Sequence, residues 1–178
     1  MAAFLLGAAS GGAALGTALG LIGAIVPGLR DAGAARLWTL AALVALGASL
    51  DGRPAGGRLP TVRRQVNEDW LHRYRGWVYG VGFGFQLGLG VVTVVTVSAV
   101  YTSMAAALLT ASPVWGAAIG GTFGLLRAGT AFSVAGVHRP EQLARVDARL
   151  RAWDGPSRRT AVALEVALAG ACLLMALA

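Results

Sequence analysis

Lysine is absent from the chain and cysteine is nearly so, with Cys172 the single example. One cysteine excludes an intrachain disulfide and a dithiol relay. Histidine stops at His72 and His138, both in segments that read as loops, so a pair of axial haem ligands inside a helical core is excluded. No metal-ligand spacing, phosphate-binding loop or nucleophile-and-base pair occurs in the apolar segments, so no cofactor is expected and the chain reads as no enzyme. Charge is scarce as well: 13% of the residues are charged against 56% hydrophobic, and mean hydropathy is +0.66. A soluble domain of 178 residues cannot cover that much apolar side chain with polar surface, which makes a bilayer the expected solvent.

What charge there is comes in blocks. All fifteen basic residues are Arg and the net charge is +7, yet the basic segments are short and flanked by long apolar runs. That pattern fits juxtamembrane loops facing anionic lipid headgroups, and with no nucleic-acid-binding motif beside it, nucleic acid is not an expected partner.

The expected fold is all-α: a polytopic transmembrane bundle forming a single domain, with about five spans at 3–26, 36–50, 76–100, 114–136 and 160–177. Met1 to Leu15 lacks the positive n-region of a secretory signal, so the first span reads as a retained helix. Pro27 and Gly28 end it, and Trp38 opens the second span at headgroup level. The run Val91 to Val97 would suggest a strand in water, but in lipid each backbone group must bond internally and helix is expected. Tyr101 to Pro113 reads as a link.

Two polar stretches, 51–75 and 137–159, hold six Arg each, and both carry an amphipathic pattern. Val62, Val66, Trp70 and Tyr74 share one helical face in the first, and Leu143, Val146, Leu150 and Trp153 do so in the second. Glu141 with Arg145 and Asp147 with Arg151 are i,i+4 pairs that support the second surface helix, which Gly155 and Pro156 should end. Five alternating spans place both Arg-rich stretches on one side and leave only Arg30 and Arg36 on the other. By the positive-inside pattern the amino terminus is cytoplasmic, the carboxyl terminus lies outside, and the inner cell membrane is the expected location.

Small residues recur every four positions in three spans. They are Ala8, Gly12, Gly16, Gly20 and Ala24, then Gly76, Gly80, Gly84 and Gly88, then Gly116, Gly120, Gly124 and Ala128. Such stripes let helix backbones approach closely, either within the bundle or toward a second copy or another membrane protein. Among polar groups at membrane depth, Arg127 needs a partner, and Gln86 and Glu165 lie at reachable depths. Thr93, Thr96 and Ser98 could line a path beside them, although such side chains often bond their own backbone. The cluster of Gln86, Thr93, Thr96, Arg127 and Glu165 is either structural glue or a contact for a solute, ion or anion.

The stretch Gly82-Phe83-Gly84-Phe85-Gln86-Leu87-Gly88, an apolar run, and then Gly116 to Gly129 resembles the second half of the cytochrome c biogenesis and thiol-disulfide interchange transmembrane family. The similarity covers roughly residues 76–136. It implies two inverted three-helix repeats with the first helix missing here. Where that family carries Pro-Cys this chain has Val91-Val92, so the resemblance implies a scaffold without the electron relay. The leading expectation is a non-catalytic membrane subunit in a complex. The alternatives are a small-solute or ion transporter or channel near Gln86, Thr93 and Arg127, and an accessory of membrane thiol redox that lacks its own cysteine relay. Single cysteines introduced at Arg64 and at Arg149, in a Cys172→Ala background, should both react with a membrane-impermeant thiol reagent from the same side of the bilayer. Labelling from opposite sides would overturn the topology.

Overall fold

The computed structural model describes residues 1–53, 76–90, 98–130 and 140–178. Six helices occur among them and no strand: α1 (Ala2–Ile25), α2 (Ala34–Asp51), α3 (Gly76–Leu89), α4 (Ala99–Leu109), α5 (Pro113–Gly129) and α6 (Pro140–Leu177). Three are long and apolar enough to cross a bilayer, namely α1, α2 and the Arg145–Leu177 part of α6. The remaining apolar helices have 14, 11 and 17 residues, fewer than the about 20 that a full crossing takes, so the described residues do not give five spans.

Two sequence expectations change. The third span, 76–100, is not one helix over its described residues. Helix α3 stops at Leu89, Gly90 takes a φ of +69°, and α4 begins only at Ala99, at the close of the expected span, and runs on to Leu109 through the stretch expected to be a link. A positive φ is easy for glycine and strained for other residues, which makes Gly90 a natural stop. The second correction is at Pro156, which lies inside α6 instead of ending a surface helix. One missing backbone donor does not stop a long helix, and Thr160 Oγ1 donates to the Pro156 carbonyl one turn on. The Asp147 to Arg151 pair forms, at 2.8 Å. The surface pattern Val62, Val66, Trp70 and Tyr74, both histidines, residues 131–136 of the fourth span and the side chain of Glu141 lie outside the described residues.

Helix α1 is the hub, and glycine is the reason. A Cβ built on Gly7 or Gly11 would fall on the carbonyl of Val81 or Phe85 in α3, and one built on Gly84 or Gly88 on that of Phe4 or Ala8. On another side of α1, Gly12 meets the Gly120 carbonyl and Gly16 the Gly116 carbonyl, and both contacts are reciprocal. Without side chains in the way, these backbones touch directly, so many weak dispersion contacts add up along each pair. The order of contacts also fixes direction. Positions rise together along α1 and α3, which are parallel; along α1 and α5 one rises as the other falls, so they are antiparallel.

Helix α6 packs on α2 and runs against it. Arg158 Nη1 donates to the Arg53 carbonyl just past the end of α2, at 3.0 Å. Farther along α6, Glu165 meets Ser98, which lies against Gly47 of α2. Helix α4 joins the two groups, since it packs on α1 and α5 as well as on α2. The α2 and α6 core is built from small groups, with Val44 and Cys172 its largest fully buried side chains.

These directions sort the ends of the bundle. The starts of α1 and α3 share one end with the close of α2 and of α5, while the starts of α2 and α5 sit at the other. Exposed Trp77 and Trp153 fall at the first end, and exposed Trp38 and Trp115 at the second. Two exposed tryptophans at each end of an apolar bundle are compatible with the interfacial positions such residues take in membrane proteins.

Gly16→Leu places a branched side chain against the Gly116 backbone and should lower unfolding stability in detergent by at least about 2 kcal/mol. Gly170→Ala faces open space and should be neutral or slightly stabilising, since alanine is favoured over glycine in a helix by up to about 1 kcal/mol. Equal losses from both would refute the backbone-contact account.

Candidate functional site

Three polar side chains are buried among the described residues: Asp51, Ser98 and Glu165, at 5%, 3% and 6% exposure. They come from three different segments and meet at one point. Ser98 caps the start of α4, Asp51 is the last residue of α2, and Glu165 lies within α6. The Ser98 backbone N–H donates to Asp51 Oδ2 at 2.9 Å, and the Ser98 hydroxyl donates to Glu165 Oε1 at 2.5 Å.

The local structure explains why serine stands at this position. A serine at a helix start ordinarily turns its oxygen back to accept from the first turn. Ser98 makes no such bond, and its hydroxyl points away to the glutamate. Asp51 is also unusual, because the carbonyl end of a helix dipole disfavours a negative charge. The start of α4 supplies the compensation, with a backbone N–H aimed at the carboxylate and the positive end of a second dipole behind it.

The account is incomplete at Glu165. Its second oxygen, Oε2, is buried, and no donor among the described residues reaches it. No basic side chain forms an ion pair with either carboxylate, since the described residues hold one salt bridge, between Arg151 and Asp147. Among the described residues, two acids on one serine therefore lie buried with hydrogen-bond donors and no ion-pair partner. Such a group is expensive in a low-dielectric setting and is retained where it serves a purpose. Glu165 is six positions beyond Arg159, about 9 Å farther along the helix axis.

The cluster expected from sequence is distributed differently. Gln86 on α3 and Arg127 on α5 are both half-buried, and their helices pack together. The Arg127 guanidinium stands over the Phe123 ring at 5.9 Å from its centre, within cation–π reach. Glu165 is on α6, whose packing partner is α2, and its hydrogen bond goes to Ser98 and not to Arg127. Among the described residues no hydrogen bond joins Arg127 to Gln86. Thr93 and Thr96 lie outside the described residues. Of the packing glycines, Gly12, Gly16, Gly20, Gly84, Gly88, Gly116, Gly120 and Gly124 sit against a neighbouring backbone, Gly80 has ordinary contacts with Ala3 and Phe4, and Gly76 meets nothing. Cys172 is buried on α6.

Sequence reasoning missed Asp51 because Gly52, Arg53 and Pro54 follow it, which reads as the opening of a polar loop. A signal was present: an acid at the carbonyl end of an apolar helix needs a donor from elsewhere. Beside the cluster an apolar groove of about 260 Å³ runs between α2 and α4, lined by Leu43, Leu46, Leu50 and Tyr101, with Ser98 also on its wall. At the Arg-rich end a larger crevice of about 680 Å³ is lined by Arg53, Asp154, Arg158 and Arg159. Comparison with protein-family models, with curated proteins and with solved structures returns no match for this chain.

Ser98→Ala should destabilise the protein by about 1–3 kcal/mol, because it strips Glu165 of its one donor. Combining it with Glu165→Leu should recover much of that loss, giving a coupling energy above about 1 kcal/mol in a double-mutant cycle. Additive effects would show that the pair does not interact in the folded protein.

Proposed function

We propose that this chain is a non-catalytic, multi-pass membrane protein that moves a small solute or ion, with its path at the junction of α2, α4 and α6. One observation carries the reading: a helix begins inside an apolar bundle, and the serine that caps its start holds two buried carboxylates from two other helices. Helices that start or stop within a bundle are a recurrent way to present backbone groups and dipole ends to a solute at membrane depth. The parallel course of α1 and α3, the opposed course of α1 and α5, and the tryptophans at both ends support a bundle set across a bilayer. Arg53, Arg158 and Arg159 crowd the end where α2 closes, and Arg30 and Arg36 lie toward the other. This agrees with an inner-membrane orientation that keeps the amino terminus in the cytoplasm and anionic headgroups at the Arg-rich end. In this reading the transport site shifts from Gln86 and Arg127 to Asp51, Ser98 and Glu165.

A second reading, the partner-bound scaffold, rests on a different feature. The first half of α6 carries exposed Leu150 and Trp153 among exposed arginines, an amphipathic face suited to a membrane surface or to another subunit. The resemblance to the thiol-disulfide interchange family is compatible with this reading, and buried Cys172 favours no redox role.

The two readings separate in proteoliposomes on a solid-supported membrane, stepped through inorganic ions, amino acids and sugars. Transport predicts a protein-dependent current for at least one solute, reduced about tenfold or more by Glu165→Gln. No current with any of them, together with recovery of one stoichiometric partner after gentle detergent extraction, would establish the scaffold instead.

A further inference from the structure

We infer that Asp51, Ser98 and Glu165 form a binding site for a small monovalent cation, a proton or Na+, seated against Glu165 Oε2. The inference deepens the transport reading, on which it rests, by naming the coupling ion.

Charge and geometry lead to it together. The cluster holds two carboxyl groups at 5% and 6% exposure, and its donors are one N–H and one hydroxyl of a single serine. The start of α4 contributes a partial positive charge of about half a unit at most, directed at Asp51. That offsets one acid in part and leaves the other short of about one positive charge. Glu165 Oε2 marks where the deficit lies, since it is buried and unreached while Oε1 is fixed by Ser98.

A monovalent occupant fits and a divalent one does not. Calcium takes about 6–8 oxygen ligands and magnesium a near-ideal octahedron, usually with several waters. The cluster offers the glutamate oxygens, Asp51 and the serine hydroxyl beside a groove lined mostly by Gly47, leucines and an alanine, with Tyr101 and Thr102 the other hydroxyl-bearing residues there. A proton needs only Oε2, and Na+ needs these oxygens with backbone carbonyls.

The charged and titratable groups on the elements packed here are few. On α2 they are Asp51 itself and Arg36 at the far end, with Arg53 just beyond its close. On α4 there is Tyr101, which borders the groove, and on α6 there are Asp154, Arg158 and Arg159 below Glu165, with Arg145, Asp147, Arg149 and Arg151 farther toward its start, and buried Cys172 beyond it. Arg158 is engaged with the Arg53 carbonyl at the bundle end. None of the arginines forms an ion pair with Asp51 or Glu165 among the described residues.

Dicyclohexylcarbodiimide, an apolar reagent that reacts with a carboxyl in its protonated form and leaves a stable N-acylurea, tests this on the purified full-length chain in detergent. The adduct is located by peptide mass spectrometry. Glu165 should be labelled, with a rate that rises at least about tenfold as pH falls from about 9 to about 6. If the site takes Na+, replacing choline with about 0.1 M Na+ at fixed pH and equal ionic strength should slow labelling. If it takes protons alone, Na+ should have no effect and only pH should matter. Asp51→Asn removes one of the two neighbouring charges and should slow labelling at each pH and weaken any Na+ protection, while Glu165→Gln should carry no adduct. Labelling of Glu165 at one rate under all pH and Na+ conditions would overturn the inference, and so would no labelling of a folded chain across that range. The assay reads occupancy without flux, so a silent current assay and a silent cation site are separate results.

Discussion

The structure depends on the contact between bare backbones along α1. In water, helices associate because apolar faces leave solvent; in the membrane setting proposed above that gain vanishes between lipid tails, and close packing supplies the attraction. Gly12 against Gly120 and Gly16 against Gly116 let two chains approach until carbonyls meet α-carbons. A second set of glycines does the same toward α3, so α1 is held on two sides by groups with no rotamers to order. The result is a closely packed unit of α1, α3 and α5. The α2 and α6 pair relies on alanine, valine and a buried cysteine, and joins that unit through α4.

Much of this was legible in the order of residues. Small groups at every fourth position fall on one helical face, and the stripes of the first, third and fourth apolar segments are the ones that meet. Helix directions also followed, since alternating crossings require α1 and α3 to be parallel and α5 to oppose them. What the pattern did not contain was lateral order. Gly7 and Gly11 were outside any stripe singled out, yet they make a second face of α1, because a stripe records periodicity and not the number of neighbours.

The polar residues show the same division between depth and neighbourhood. Counting along a helix places Gln86 at a depth close to that of Arg127 and Glu165 shallower but within reach of a long Arg side chain, and depth alone made them candidates for one cluster. Lateral packing decides who meets whom, and it puts Glu165 beside α2 and α4 and Arg127 over Phe123. The end of α3 was hidden for a related reason. A β-branched run after Gly90 is compatible with continuous helix in lipid, whereas the positive φ of Gly90 and the start of α4 at Ser98 are set by what surrounds them.

Ser98 is where these two levels of organisation meet. It begins the one helix that packs on both the glycine-locked unit and the α2 and α6 pair, and it donates to an acid from each member of that pair. Both donors belong to one residue, so Asp51 and Glu165 cannot shift apart without stretching a hydrogen bond at Ser98. A change of charge on either acid therefore acts on the joint between the α1, α3 and α5 unit and the α2 and α6 pair. Coupling of this kind needs no long pathway, because the groups that bear the charge are themselves the contacts that hold the joint.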